Sequence, residues 1–513
     1  MQKNLRNFLL ASTAFSLLFA ATPSYAADQT TDAIKALQAQ VAALQKQLNT
    51  LQSEQKTQEQ AQTATEEDVA KVKVDEEETK NKVAAKEILP GVRFTPGGYA
   101  EADGVFRAKN EATDSTSGWN AAIPFANSPN SSQSEFRGTA RATRATLKAE
   151  GKPDDNTMLT GYVETDFLGS GVTSNSTQTN SYDPRLRQAF AMVDRNDLGV
   201  HVLAGQAWSL VSPMKQGLDP FQIANPIGID SGYLPGFNFT RQAQIRVVKD
   251  FDDNKINVGL SAENPQVNLG GITAPSSLLS YSSTGVSPLN TGVQYSTDIA
   301  PDMIAKLAYD PGFGHYEVFG MTRFFHDKLV SNFNNEDAVA FSGGASAYLP
   351  VIAKALDVQG TFMGGQGIGR YSAGQLPDLA FKPNGEITPT TELTAMLGVI
   401  GHPTPAWDTY VYAGAEKVMR DNENSAAGTY GYGNFAMNNS GCYVINGTCT
   451  AQTALLWQVT PGVWDRVYSG NYGTLSVGAQ YSLTRRNAFT GANNLDPHSY
   501  ENIVMTAFRY SPF

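Results

Sequence analysis

The sequence predicts an all-β transmembrane fold: about sixteen antiparallel strands closed into a barrel, preceded by an α-helical coiled-coil segment. Two periodicities and one pattern of connections predict it. Across residues 91–513 side chains alternate with a period of two, most cleanly from Ile256 to Glu263 and from Thr474 to Leu483, where one face is apolar and the other small or polar. Ile34, Leu37, Val41, Leu44, Leu48 and Leu51 instead recur every three or four residues, which places them on one seam of a helix. Connections between the predicted strands alternate short and long, as in a barrel with tight turns at one end and extended loops at the other.

Taken in order, residues 1–26 read as a secretory signal: Lys3 and Arg6, an apolar run from Phe8 to Ala21, then Ser24-Tyr25-Ala26 as a small-residue cleavage site. No later run reaches about 18 apolar residues, so no transmembrane helix is expected. Residues 27–90 read as a periplasmic coiled coil and linker. The seam turns polar at Gln55, Gln58, Gln62 and Thr65, resumes at Val69 and Val72, and fades from Asp75 to Lys86. A stripe this narrow cannot bury itself, so it implies self-association. Leu89-Pro90-Gly91 breaks the helix and opens the barrel, residues 91–513.

Strands are expected near 92–108, 136–150, 157–169, 185–194, 198–209, 241–250, 255–264, 302–310, 315–325, 337–348, 355–367, 392–401, 406–419, 454–468, 472–485 and 500–513. Short connections such as Arg195-Asn196-Asp197 and Phe251-Asp252-Asp253-Asn254 follow even-numbered strands; long ones, near 109–135, 210–240, 265–301, 368–391 and 420–453, follow odd-numbered ones. A soluble sandwich has no reason to alternate in this way. An outer-membrane barrel does, with its short turns in the periplasm.

Composition agrees. The 513 residues include 46 glycines and are 10% aromatic, with a net charge of -11 and a mean hydropathy of -0.29, which suits a barrel with a wet interior. The acidic balance argues against nucleic acid as a partner. Cys442 and Cys449, in a Gly/Asn/Thr-rich stretch, are expected to pin one loop as a disulfide in an oxidising compartment. The chain stops at Phe513 with Tyr510 three residues earlier, the aromatic ending that outer-membrane barrels present to their insertion machinery. No catalytic motif is present: the Gly365–Gly369 glycine run sits at a strand end, and the five histidines lack metal-ligand spacing. No enzyme activity, metal or cofactor is therefore expected.

Charge on the strands carries the functional expectation. Arg137, Arg141, Arg144 and Lys148 crowd the second strand, Arg185 and Arg187 open the fourth, and Arg241 and Arg246 lie on the sixth. Facing lipid, each Arg would cost roughly 2–4 kcal/mol at the midplane, so the cluster belongs in the lumen or at the rims. Guanidinium groups lining a narrow pore favour anions. The connection from Leu210 to Thr240 is rich in Pro, Gly and aromatics, too apolar for a free loop. It is expected to fold into the barrel as a constriction loop, with Asp219, Asp230 and Tyr233 opposing the arginines.

The order of signal, short coiled coil and barrel ending in Phe resembles the trimeric DcaP-like porins. Pro96-Gly97-Gly98-Tyr99-Ala100, the Arg141/Arg144 strand and Gly205-Gln206-Ala207-Trp208-Ser209 look like that family's early strands. The resemblance implies a homotrimer of 16-stranded barrels in the Gram-negative outer membrane, passing small hydrophilic solutes passively with a preference for anions such as dicarboxylates. The rival reading is a structural protein that anchors the barrel to the cell wall through its coiled coil.

Overall fold

The computed structural model describes residues 86–513 except 121, 170–181, 280, 282–297 and 424–429. The chain divides into two compact units, 1–83 and 84–513. The expected signal and coiled coil lie outside the described residues, as does everything before Lys86.

Sixteen antiparallel strands form one closed sheet. They are β1 (Val92–Arg107), β2 (Glu135–Thr139 with Arg144–Asp154), β3 (Thr157–Asp166), β4 (Arg185–Arg195), β5 (Val200–Trp208), β6 (Arg241–Phe251), β7 (Ile256–Glu263) and β8 (Asp302–Tyr309). The second half comprises β9 (His315–Lys328), β10 (Asn335–Ile352), β11 (Leu356–Gln366), β12 (Thr391–Thr404), β13 (Trp407–Val418), β14 (Thr453–Gly470), β15 (Gly473–Ala488) and β16 (His498–Ser511). Each strand pairs with its sequence neighbours, and β1 closes the ring against β16 through Ala100↔Tyr510 to Arg107↔Ile503. A short segment, Lys86–Leu89, folds back on the start of β1. Closure leaves no edge with unpaired N–H and C=O groups, the condition for a sheet to stand in lipid.

All sixteen expected strands are present, with two local differences. The second is interrupted at residues 140–143, where Thr143 Oγ1 accepts from the Glu101 amide (3.1 Å) in place of a regular ladder bond. β10 runs past Pro350 because that residue falls at a register shift beside Ile352, where the ladder needs no N–H from it.

The wall is inside out relative to a soluble protein. On β7, Val258 and Leu260 face outward and are exposed while Asn257, Gly259, Ser261 and Glu263 are buried inward. Ile245, Val318, Phe341, Leu397 and Phe508 continue the outward apolar surface around the ring. Exposed aromatics mark both margins: Phe251, Tyr309, Phe313, Trp407 and Tyr472 near the short turns, Phe106, Phe136 and Tyr500 near the long loops. An apolar band between two aromatic girdles is the surface of a membrane barrel. Tyr510 belongs to the outward set and donates its hydroxyl to Tyr472 O (2.6 Å), while Phe513 lies beyond the strand's end.

The interior is filled by loops rather than water alone. The connection after β5, residues 209–240, enters the lumen and is buried at Leu210, Met214, Leu234 and Phe237. The one after β11 enters too, carrying a small hairpin of Leu379–Phe381 and Ile387–Pro389. Buried backbone amides without a sheet partner need acceptors, and inward carboxylates of the wall supply them. Glu416 on β13 accepts from Gly236 (2.7 Å) and Gly374 (2.9 Å), joining both inner loops to one residue. Glu317 accepts from Met214 (3.2 Å), Asp310 from Gly217 (2.9 Å) and Glu263 from Leu210 (2.8 Å). The approach is close enough that a Cβ at Gly414 would run into the Pro235 carbonyl oxygen.

Candidate functional site: an arginine eyelet in the lumen

With the inner loops packed against the far side, two cavities lie along the wall made by β1–β7 and β16. The smaller one, about 60 Å³, is ringed by Arg144, Arg185, Arg187, Arg241 and Arg509 and is called the eyelet below. It exists because neighbouring strands present inward residues in register: Arg144 stands opposite Tyr99 and Asp166, and Asp166 opposite Arg185. A register shift between Glu164 and Thr165 turns Arg187 inward alongside Gln188.

Four of the eyelet's guanidinium groups are held by carboxylates. Arg185 grips Asp166 with two bonds (Nε to Oδ1 2.9 Å, Nη2 to Oδ2 2.7 Å). Arg187 reaches Asp166 (Nη1 to Oδ2 2.9 Å) and also Glu164, which Arg144 approaches at 3.3 Å. Arg509 of β16 grips Glu101 twice (2.7 and 3.0 Å). Arg241 has no ion pair among the described residues; its guanidinium lies over the Trp208 ring at 4.6 Å and the Phe239 ring at 5.9 Å. Aromatic faces carry three of the others as well: Arg144 and Arg509 lie over Tyr99 at 5.3 and 4.5 Å, and Arg187 over Trp208 at 5.8 Å. Stacking fixes the planar groups without neutralising them.

Five guanidinium groups thus face three ring carboxylates, Glu101, Glu164 and Asp166, leaving an excess of positive charge. The inner loop also lines the cavity, through Asp230, Tyr233 and Phe239. Asp230 is buried and accepts from the Ser117 amide (3.2 Å). Burial pushes its carboxyl up to about 7, against the pull of Arg107.

The remaining sequence-selected residues fall elsewhere along the same wall. Arg137 and Arg141 lie above the eyelet, bonded to Glu135 (3.2 Å) and Asp114 (3.3 Å). Arg246 and Asp219 line the second cavity, about 590 Å³, toward the short turns. Asp219 therefore does not oppose the eyelet arginines as the sequence led us to expect: the loop enters far enough that its tip passes below them. Cys442 and Cys449 are joined in a disulfide (S–S 2.03 Å) on the loop after β13.

Sequence reasoning missed Arg509, Tyr99, Trp208 and the carboxylates Glu101, Glu164 and Asp166. Glu164 and Asp166 share one face of a strand beside the strand of Arg185 and Arg187, a spacing that could have paired them.

No protein-family model and no curated protein sequence matches the chain. Among solved structures, the outer membrane channel DcaP of Acinetobacter baumannii superposes with a TM-score of 0.58 at 16% identity, covering 83% of this chain and 99% of that one. The chain has the fold of an outer-membrane channel. Two further likenesses are lower: OmpT of Vibrio cholerae in its trimer form (TM-score 0.45, 10% identity, 82% of this chain and 99% of that) and the anion-selective porin from Comamonas acidovorans (0.42, 9%, 82% and 99%).

Proposed function

We propose that this chain is an outer-membrane porin that passes small hydrophilic solutes by passive diffusion and prefers anions. The observation that carries the reading is the eyelet, where five guanidinium groups meet three ring carboxylates and Arg241 has no ion pair among the described residues. A narrow passage with low-dielectric walls focuses that excess, so an anion is stabilised where a cation is repelled. Bidentate geometry makes carboxylates the natural solutes, dicarboxylates among them. Diffusion needs no cofactor, and catalysis has no role in this reading.

The short turns would then face the periplasm, with residues 1–26 removed on export and 27–90 forming a periplasmic coiled coil. A trimer fits the outward face of β2–β5, where Ala149, Gly161, Ala189, Ala191 and Ala204 line a shallow groove that lets another barrel approach. The test is the reversal potential of the reconstituted protein in a planar bilayer under a salt gradient, read with the steps of single insertions. Currents arriving in threes with an anion-selective reversal potential uphold the reading. A cation-selective pore refutes the eyelet argument.

A further inference from the structure

The lower cavity differs from the eyelet in both charge and polarity, and nothing in the anion reading uses it. Its volume, about 590 Å³, is in the range of small-molecule sites, roughly 300–1,000 Å³. One side is apolar: Met158, Met192, Leu203 and Val248 from the wall and Leu218 from the inner-loop tip. Phe221 lines it too and packs with Tyr162 and Phe190, ring centroids 5.1–5.7 Å apart.

Around this bed, opposite charges face each other. Lys148 of β2 (3.1 Å) and Arg93 of β1 (2.8 Å) share the single carboxylate of Glu150 on β2, so that group keeps one positive charge. On the loop tip, Asp219 is exposed; its carboxylate accepts from the Phe221 amide (2.9 Å) and has no ion pair among the described residues. His201 bridges Asp194 (2.6 Å) and Asp250 (2.7 Å), so even as an imidazolium this cluster is net negative. Arg246 stands in the wall with Nη1 unbonded and no ion pair among the described residues. The chamber is thus close to neutral but split, positive at Lys148 and Arg246 and negative at the loop tip and the His201 cluster.

We propose that this chamber is a transient binding site for zwitterionic solutes with an apolar body, namely α-amino acids with an aliphatic side chain. A simple anion gains from Lys148 but meets Asp219 and the His201 carboxylates. A zwitterion sets its carboxylate toward Lys148 and its ammonium toward Asp219, and lays its side chain on Met158, Met192 and Leu203. The proposal rests on the channel reading and extends it to a second solute class.

Single-channel currents through the reconstituted protein, with L-leucine, glycine or hexanoate added on the short-turn side, test it. Leucine at millimolar concentration is expected to interrupt the current at least tenfold more effectively than glycine or hexanoate. Asp219→Asn is expected to weaken leucine about tenfold while strengthening hexanoate, an opposite change that general misfolding cannot produce. Hexanoate matching leucine, glycine matching leucine, or a leucine effect unchanged in the variant each overturns the site. A protein that conducts without any interruption overturns the chamber alone, whereas one that passes no current overturns the channel reading as well.

Discussion

Arg241 is the eyelet cation with no ion pair among the described residues, which makes Arg241→Gln the sharpest test of selectivity. Two unit charges about 4 Å apart interact by about 1 kcal/mol in water and about 4 kcal/mol at an effective dielectric of about 20. A wet eyelet lies toward the lower figure, so losing Arg241 should cost an anion about 1–2 kcal/mol there, roughly five- to thirtyfold in relative permeability. The double variant Arg509→Gln/Glu101→Gln is the contrast. Arg509 and Glu101 are already paired, so removing both leaves the net charge of the eyelet unchanged. The assay is the reversal potential of each variant under a salt gradient at constant pH. Arg241→Gln should shift it well toward the cation side, and the double variant distinctly less. If Arg241→Gln leaves it unmoved, or the double variant has the larger effect, the charge count is not what sets selectivity.

Three other outcomes follow from the same structure. Because the Asp230 carboxyl is pushed up to about 7, it is neutral below that pH and negative above it, so anion preference should fall as pH rises from 6 to 8. Asp230→Asn should flatten that change. Glu111→Gln should leave it, since Glu111, pushed by burial to about 8, does not line the eyelet. Glu416→Ala strands the amides of Gly236 and Gly374, at roughly 1–3 kcal/mol each; the inner loops should loosen, seen as higher current noise and faster proteolysis of the loop after β5. Leu260→Arg puts a charge on the outward face, where it should cost roughly 2–4 kcal/mol in urea unfolding from vesicles, an effect that an inward Ser261→Asn should not reproduce.

The wall was legible in the sequence because a strand's side-chain period is independent of its partners. Val258, Leu260 and Ala262 against Asn257, Gly259 and Ser261 announce two faces without any knowledge of the neighbouring strand. The inner loop's entry was legible too, from Pro213, Phe221 and Phe237 in a stretch too apolar for water. How deep it reaches was not, because depth depends on contacts far apart in the chain: Gly217 with Asp310, Gly236 with Glu416, and Ile227 with Trp464. Asp219 was misplaced for that reason. Arg509 was passed over because the last strand reads first as an ending, and only closure of β16 on β1 brings it to Glu101.

On the porin reading proposed above, pairing within the eyelet lets the cluster conduct rather than capture. Five bare guanidinium groups in so small a passage would hold an anion tightly and stop the flow, since conduction needs binding weak enough to release. Glu101, Glu164 and Asp166 remove most of that charge while locking Arg144, Arg185, Arg187 and Arg509 in fixed planes. The residual charge sits at Arg241, which lines the same cavity and has no ion pair among the described residues. On this argument, neutralising a paired carboxylate should slow the channel: Asp166→Asn frees Arg185 and Arg187 from their shared partner, so succinate should dwell longer and block more of the current even as anion selectivity rises. A variant that gained selectivity and throughput together would mean that the carboxylates serve the fold of the wall and not the passage of the solute.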